Sequence, residues 1–279
     1  MKTELAKIKG FIFDMDGTLV LGDKNNKGLL PIPGAIEFTQ KLKKAGIEFS
    51  VFTNGTTKTP AEYADVLAAL GFPITSKNML TPVSGALECF IAAGYKRVMV
   101  LGGKGIIEPL EAAGIEVVPN ELGTKADAVL AGWYKEVKFS DLEAACDAVW
   151  AGASFFSCSQ SIFFATANGR ALGTSRAISA VVRDLTSCDV EVVGKPSKFA
   201  FQACLKSLGL EANQVSVVGD DVELEVTMAN QQGALSIAVA TGIEDIDFLK
   251  NQSGFKLADH ILPNVESLMM AWEEVRANA

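Results

Sequence analysis

Two aspartates stand two residues apart in Asp14-Met15-Asp16-Gly17-Thr18-Leu19, straight after the apolar run Ile8 to Phe13. Residues two apart in an extended chain share a side, so both carboxylates face one small volume if strand geometry persists that far. Like charges this close repel unless a cation lies between them or one keeps its proton. A hard divalent metal is the cation that suits such oxygen donors. One carboxylate placed to attack and a second placed to carry a proton would be equipment for covalent acid–base catalysis. The plain alternative is an acidic turn built on Asp16-Gly17; the Phe-Ile-Phe run before it and the Thr-Leu pair after it weigh against that.

Three further groups punctuate the chain. Thr53-Asn54-Gly55 follows a second expected strand, Ile47 to Phe52, Gly194-Lys195-Pro196 stands in a loop, and Gly219-Asp220-Asp221, with Glu225 beyond it, follows Val215 to Val218. Taken singly, each reads as a polar turn, a solvated lysine or an acidic turn. The elements that must position them follow one rhythm. Pro33-Gly34 opens a helix with Ile36, Phe38 and Leu42 apolar, and Gly46 closes it; a second helix runs from about Pro60 to Leu70. The rhythm recurs at Arg97–Leu101 with Gly102-Gly103 and a helix through Leu110, at Ala128–Ala131, in a helix from Ser140 to about Ala151, and at Ser154–Cys158. Ile237–Val239 precedes Thr241-Gly242, and a last helix spans Val265 to Arg276. Strand, helix, strand at this spacing predicts right-handed βαβ units and a parallel α/β sheet, whose ligand sites lie at the carboxyl ends of its strands.

Composition excludes several classes. The chain has 279 residues, 49% of them apolar and 21% charged, with a net charge of −8. An acidic chain is a poor nucleic-acid binder, although a metal can reverse the field inside one cleft. The five cysteines (Cys89, Cys146, Cys158, Cys188, Cys204) include no CxxC pair and read as free thiols in a reducing compartment. His260 is the single histidine, which removes most zinc sites and Ser-His-Asp chemistry. The amino terminus is too acidic, and its apolar run too short, for a signal peptide. No run approaches the ~20 apolar residues of a membrane span. The expectation is a cytoplasmic protein with no nucleic-acid or membrane partner.

In order, the four groups resemble the four motifs of the haloacid dehalogenase superfamily. That resemblance implies a Rossmann-like doubly wound parallel core and a Mg²⁺-dependent phosphatase. It gives Asp14 the nucleophile's role and Asp16 the acid/base role. Thr53 and the backbone around Asn54 and Gly55 would bind the phosphoryl group, and Lys195 would stabilise charge. Asp14, Asp220 and the backbone carbonyl of Asp16 would hold the metal, with Asp221 and Glu225 behind them. Only 39 positions separate Asp14 from Thr53, whereas 142 separate Thr53 from Lys195. An inserted α/β cap fits the longer gap, giving a core of residues 1–82 and 189–279 and a cap of residues 83–188. This arrangement is similar to the NagD, 4-nitrophenylphosphatase and phosphoglycolate phosphatase branch, in which cap-mediated homodimers occur. Two departures stand out: Glu225 replaces the usual second motif-four aspartate, and Cys158-Ser159-Gln160-Ser161 replaces a run that is usually Asn-containing and ends in an acidic residue. The loop Gly22–Gly28 is longer than usual. The expected partner is a small phosphorylated metabolite; the rival readings are a phosphomutase, a dehalogenase (which would not need Asp16) and a non-catalytic sensor or binding protein on the same scaffold.

Overall fold

Apolar side chains at consecutive positions mark a strand covered on both faces, and the strand Gly10–Asp14 is buried along its whole length. In the computed structural model, which describes residues 1–22, 28–166, 169–242 and 244–277, this strand lies inside a six-stranded sheet. The order is His260–Leu262, Leu235–Val239, Val215–Gly219, Gly10–Asp14, Glu48–Phe52, Met79–Leu80, and every pair is parallel. Counted along the chain this is the doubly wound order 3-2-1-4-5-6. The chain steps outward from Gly10–Asp14 to Met79–Leu80, then begins again on the other side at Val215–Gly219. The carboxyl ends of those two neighbours flank the topological switch point, the crevice where open α/β sheets take ligands.

This sheet belongs to the first of two compact units, Met1–Thr53, Tyr63–Leu80 and Phe201–Ala279. In the helix Ala35–Lys44, Ala35, Phe38, Thr39 and Leu42 are buried, the spacing of one helical face. Phe38 meets Phe11 and Phe13 edge-on at 5.5 and 5.8 Å, and Trp272 of the helix Val265–Ala277 at 5.7 Å. Burying side chains such as Phe38 and Leu42 contributes about 1.5–3 kcal/mol each. The layer thereby fixes the strand that carries Asp14. Val20–Leu21 and Leu30–Pro31 pair antiparallel on either side of the long loop; residues 23–27 of that loop lie outside the described residues.

The second unit comprises Asn54–Glu62 and Thr81–Ala200. It holds a five-stranded parallel sheet in the order Glu191–Val192, Ser154–Ser157, Ala128–Ala131, Arg97–Leu101, Glu116–Val118. Strand alternation sorts its side chains. Val98, Val100, Ala128, Leu130 and Phe156 pack with Val83, Phe90, Ile106 and Leu110 from the helices Pro82–Ala93 and Lys104–Ala112. Met99, Leu101, Val129, Ala131 and Phe155 pack with Ala144, Ala145, Ile178 and Val182 from Phe139–Trp150 and Thr174–Thr186. A hairpin, Phe163–Thr166 with Gly169–Leu172, joins the sheet to the second of those helices in sequence. Among the described residues, no helix is long and apolar enough to cross a membrane.

Candidate active site

The first strand ends at Asp14, which is 7% exposed, and the chain then turns so that Asp16 is exposed. The turn is closed by Leu19 and Val20 N–H groups donating to the Met15 carbonyl at 3.0 Å and by Gly17 N–H donating to Val20 O at 2.8 Å. Gly17 has φ +90°, a conformation that a residue with a Cβ rarely adopts. From the next strand, the Thr53 hydroxyl reaches Asp16 Oδ2 at 3.5 Å, the outer limit of a hydrogen bond.

Across the switch point, Val215–Gly219 is in register with Gly10–Asp14 through Phe13 and Val218, so Asp220 emerges beside the motif-one turn. Its carboxylate occupies a slot that two absent side chains make possible. A Cβ on Gly17 would stand 2.4 Å from Asp220 Oδ2, and one on Gly242 only 1.6 Å from the same atom. The Thr241 hydroxyl donates to the Gly17 carbonyl at 2.5 Å, tying the loop after Leu235–Val239 to the same turn. Behind Asp220 the chain winds into a π-helical turn, Val222–Val226, a form that recurs at functional sites. There Asp221 Oδ1 accepts from Glu223 N–H at 2.7 Å. Glu225, 2% exposed, accepts the Asp221 N–H on Oε2 at 3.1 Å. Glycine at 219 leaves room for it, since a Cβ there would lie 2.2 Å from Glu225 Cγ. Glu225 therefore braces the backbone next to Asp220.

Asn54 and Lys195 meet in the second unit. Asn54 Nδ2 donates to the Lys195 carbonyl at 3.1 Å, and Lys195 N–H donates to Asn54 Oδ1 at 2.8 Å. The amide thus pairs both backbone groups of Lys195, as a neighbouring strand would. Gly194 permits this approach: a Cβ there would sit 2.6 Å from Asn54 Oδ1 and 2.1 Å from the Cys158 carbonyl. Lys195 itself is 2% exposed.

The divergent loop at 158–161 closes on itself. Ser157 Oγ donates to Ser159 O at 2.9 Å, Ser161 N–H donates to Ser159 Oγ at 3.2 Å, and Arg176 donates to the Gln160 carbonyl at 2.8 Å. Burial raises the Cys158 thiol above the ordinary thiol value. The first unit thus collects Asp14, Asp16, Thr53, Asp220, Asp221 and Glu225, and the second holds Asn54, Gly55 and Lys195. Gly242 and Thr241, visible in the sequence only as a turn after a strand, prove to shape the Asp220 slot.

The donors would fit a hard cation: Asp14 and the slotted Asp220 offer carboxylate oxygens at the carboxyl ends of two neighbouring central strands. Among the described residues no three Asp, Glu, His or Cys side chains form a ready-made metal cage. A cation here would take the two carboxylates, the Asp16 carbonyl and water, the kind of mixed shell that Mg²⁺ commonly keeps.

Residues 11–116 match the haloacid dehalogenase-like hydrolase family and residues 192–268 a second HAD-hydrolase-like family. The chain belongs to the haloacid dehalogenase-like hydrolases, on their NagD and nitrophenylphosphatase-like branch. It is 27% identical over 237 residues to the 5'-nucleotidase YutF of Bacillus subtilis, covering 84% of this chain and 88% of the relative. It superposes on the 4-nitrophenylphosphatase of Thermotoga maritima with a TM-score of 0.84, 25% identity and coverage of 96% and 98% of the two chains. The glycerol phosphate phosphatase of Mycobacterium tuberculosis, solved with calcium, gives 0.83 at 24% identity, covering 95% of this chain and 76% of that one.

Proposed function

We propose that the protein is a Mg²⁺-dependent phosphatase that hydrolyses a small phosphate monoester through a phosphoryl group carried on Asp14. The observation that carries this reading is the Asp220 carboxylate, slotted against Gly17 at the switch point, beside the strand that ends in Asp14. Ester hydrolysis of this kind is among the slowest uncatalysed reactions, so the site must lower the barrier by about 20 kcal/mol. In-line attack by an Asp14 oxygen on phosphorus forms the O–P bond as the ester O–P bond breaks. Asp16 gives its proton to the departing alkoxide and takes one back from the water that later cleaves the aspartyl-phosphate. Its exposure suits a group that must exchange protons with solvent, while burial of Asp14 suits one that must meet phosphorus without competing water. Thr53 and the N–H groups near Asn54 and Gly55 hold phosphoryl oxygens, and Lys195 offsets the charge that builds on them. Asp14, Asp220 and the Asp16 carbonyl would hold Mg²⁺, whose charge would offset the repulsion between carboxylate and phosphate.

Two relatives support this reading by their names, a 5'-nucleotidase and a nitrophenylphosphatase, as does the calcium that accompanies the glycerol phosphate phosphatase. The substrate is proposed as a small phosphorylated metabolite, read by the inserted segment 83–188, in the cytoplasm. The test is turnover of 4-nitrophenyl phosphate and a panel of sugar, nucleoside and glycerol phosphates, with Mg²⁺ and then with EDTA. Mg²⁺-restored hydrolysis is expected; inactivity on every ester, or activity indifferent to EDTA, contradicts the reading.

A further inference from the structure

We infer that Thr56 is a positioning residue for the phosphoryl-binding turn, anchoring Asn54-Gly55 in a ligand crevice of the inserted sheet that the chain fills with its own backbone. The inference rests on the phosphate-ester reading above.

The five-stranded sheet, counted along the chain, has the order 2-1-3-4-5, the other common doubly wound arrangement. Its switch point lies between the carboxyl ends of Arg97–Leu101 and Ala128–Ala131, because the chain leaves the first toward Glu116–Val118 and the second toward Ser154–Ser157. Such a crevice normally takes a ligand, and this one has a glycine on each side where a close approach needs one, Gly105 and Gly132. The occupant is the segment that follows the phosphoryl-binding turn. The Trp133 N–H, next to Gly132, donates to Thr56 Oγ1 at 3.0 Å. A Cβ on Gly105 would stand 2.4 Å from the Thr56 carbonyl and 2.6 Å from the Lys58 carbonyl, and one on Gly132 would stand 3.2 Å from Thr56 Oγ1. Two carbonyl oxygens thus lie on the first turn of the helix Lys104–Ala112, whose N-terminal dipole favours negative charge.

The far end of the segment is fixed too. Glu62 accepts the Thr59 N–H at 2.9 Å, Thr59 Oγ1 accepts the Glu62 N–H at 3.2 Å, and Glu62 pairs with Lys104. The chain is therefore held by the inserted sheet at Thr56 and again at Glu62. Thr56 is 1% exposed and follows Asn54-Gly55 with no residue between. Asn54 in turn spends its amide on the Lys195 backbone. Thr56 touches neither phosphate nor metal in this scheme; it sets where the N–H groups that do so come to rest.

The test compares wild type, Thr56→Val and Thr56→Ser as whole chains, using calorimetric titration of inorganic phosphate with Mg²⁺ present and turnover of 4-nitrophenyl phosphate. Valine keeps the shape and loses the acceptor, so phosphate Kd should rise and kcat/KM fall together by about 10- to 100-fold, the scale of a small misplacement of a binding group. Serine should restore both. Gly105→Ala, which keeps the hydroxyl and crowds the two carbonyls, should shift the same two quantities in the same direction. A folded Thr56→Val protein with wild-type phosphate affinity and kcat/KM, or a Thr56→Ser protein as impaired as the valine variant, overturns the inference. If wild type hydrolyses no ester, the hydrolytic reading fails by itself, and the phosphate titrations of the two Thr56 variants still decide whether this residue positions the turn.

Discussion

Gly242 offers a way to displace Asp220 without changing any group that does chemistry. Its φ lies outside the left-handed region, so alanine meets no backbone penalty there and acts through its methyl group alone. That methyl carbon would lie 1.6 Å from Asp220 Oδ2, 2.5 Å from Cγ and 2.9 Å from Cβ, whereas real Cβ contacts stay beyond 3.0 Å. The oxygen must therefore retreat by about 1.4 Å. A misplacement of this size in a group that orients the reaction costs on the order of 10²-fold, or about 2.7 kcal/mol of transition-state stabilisation. The Gly242→Ala protein should show kcat/KM for 4-nitrophenyl phosphate down by about that factor. Its half-activating Mg²⁺ concentration should rise, and thermal unfolding should confirm a folded chain. A folded Gly242→Ala protein with wild-type kcat/KM and wild-type Mg²⁺ dependence would refute the claim that this slot places Asp220 for catalysis.

Two other perturbations probe the supports. Asn54→Ala removes both hydrogen bonds to the Lys195 backbone, each worth about 1 kcal/mol net; kcat should fall and melting temperature drop, while Asn54→Asp, which keeps the acceptor for Lys195 N–H, should lose less of both. Burial raises the Cys146 and Cys158 thiols and pushes Cys89 up to about 11, so a thiol reagent near pH 8 should modify half-buried Cys188 first and the buried thiols only on unfolding. Because these groups hold their protons more tightly folded than unfolded, stability is intact below the ordinary thiol pKa of about 8.5. It falls as pH climbs from there toward about 11 for Cys89, which melting curves between neutral and alkaline pH will check.

Much of this architecture is legible in the chain because buried parallel strands are written as unbroken apolar runs. Arg97–Leu101 and Ala128–Ala131 fall at the expected residues, and Asp14 stands at a strand end as expected. What holds the site together is less legible. The bond between Asn54 and Lys195 spans 141 positions, and no local pattern marks which side chain will meet which backbone. Gly242 looks like any turn glycine until the place of the Asp220 carboxylate is known. The π-helical turn at Val222–Val226 has no periodicity of its own to announce it. The hairpin Phe163–Thr166 with Gly169–Leu172 and the helix Thr174–Thr186 are absent from the expectations. Yet Ile178 with Val182 is one helical face. The crevice filled by Thr56 follows from strand order, which composition and periodicity do not give.

The central claim is that the Asp14 carboxylate attacks phosphorus. Turnover of 4-nitrophenyl phosphate by Asp14→Asn in saturating Mg²⁺, on protein shown by its melting curve to be folded, tests it most directly. Hydrolysis should vanish, since the amide oxygen is no nucleophile; substantial residual turnover by the folded variant would contradict the account.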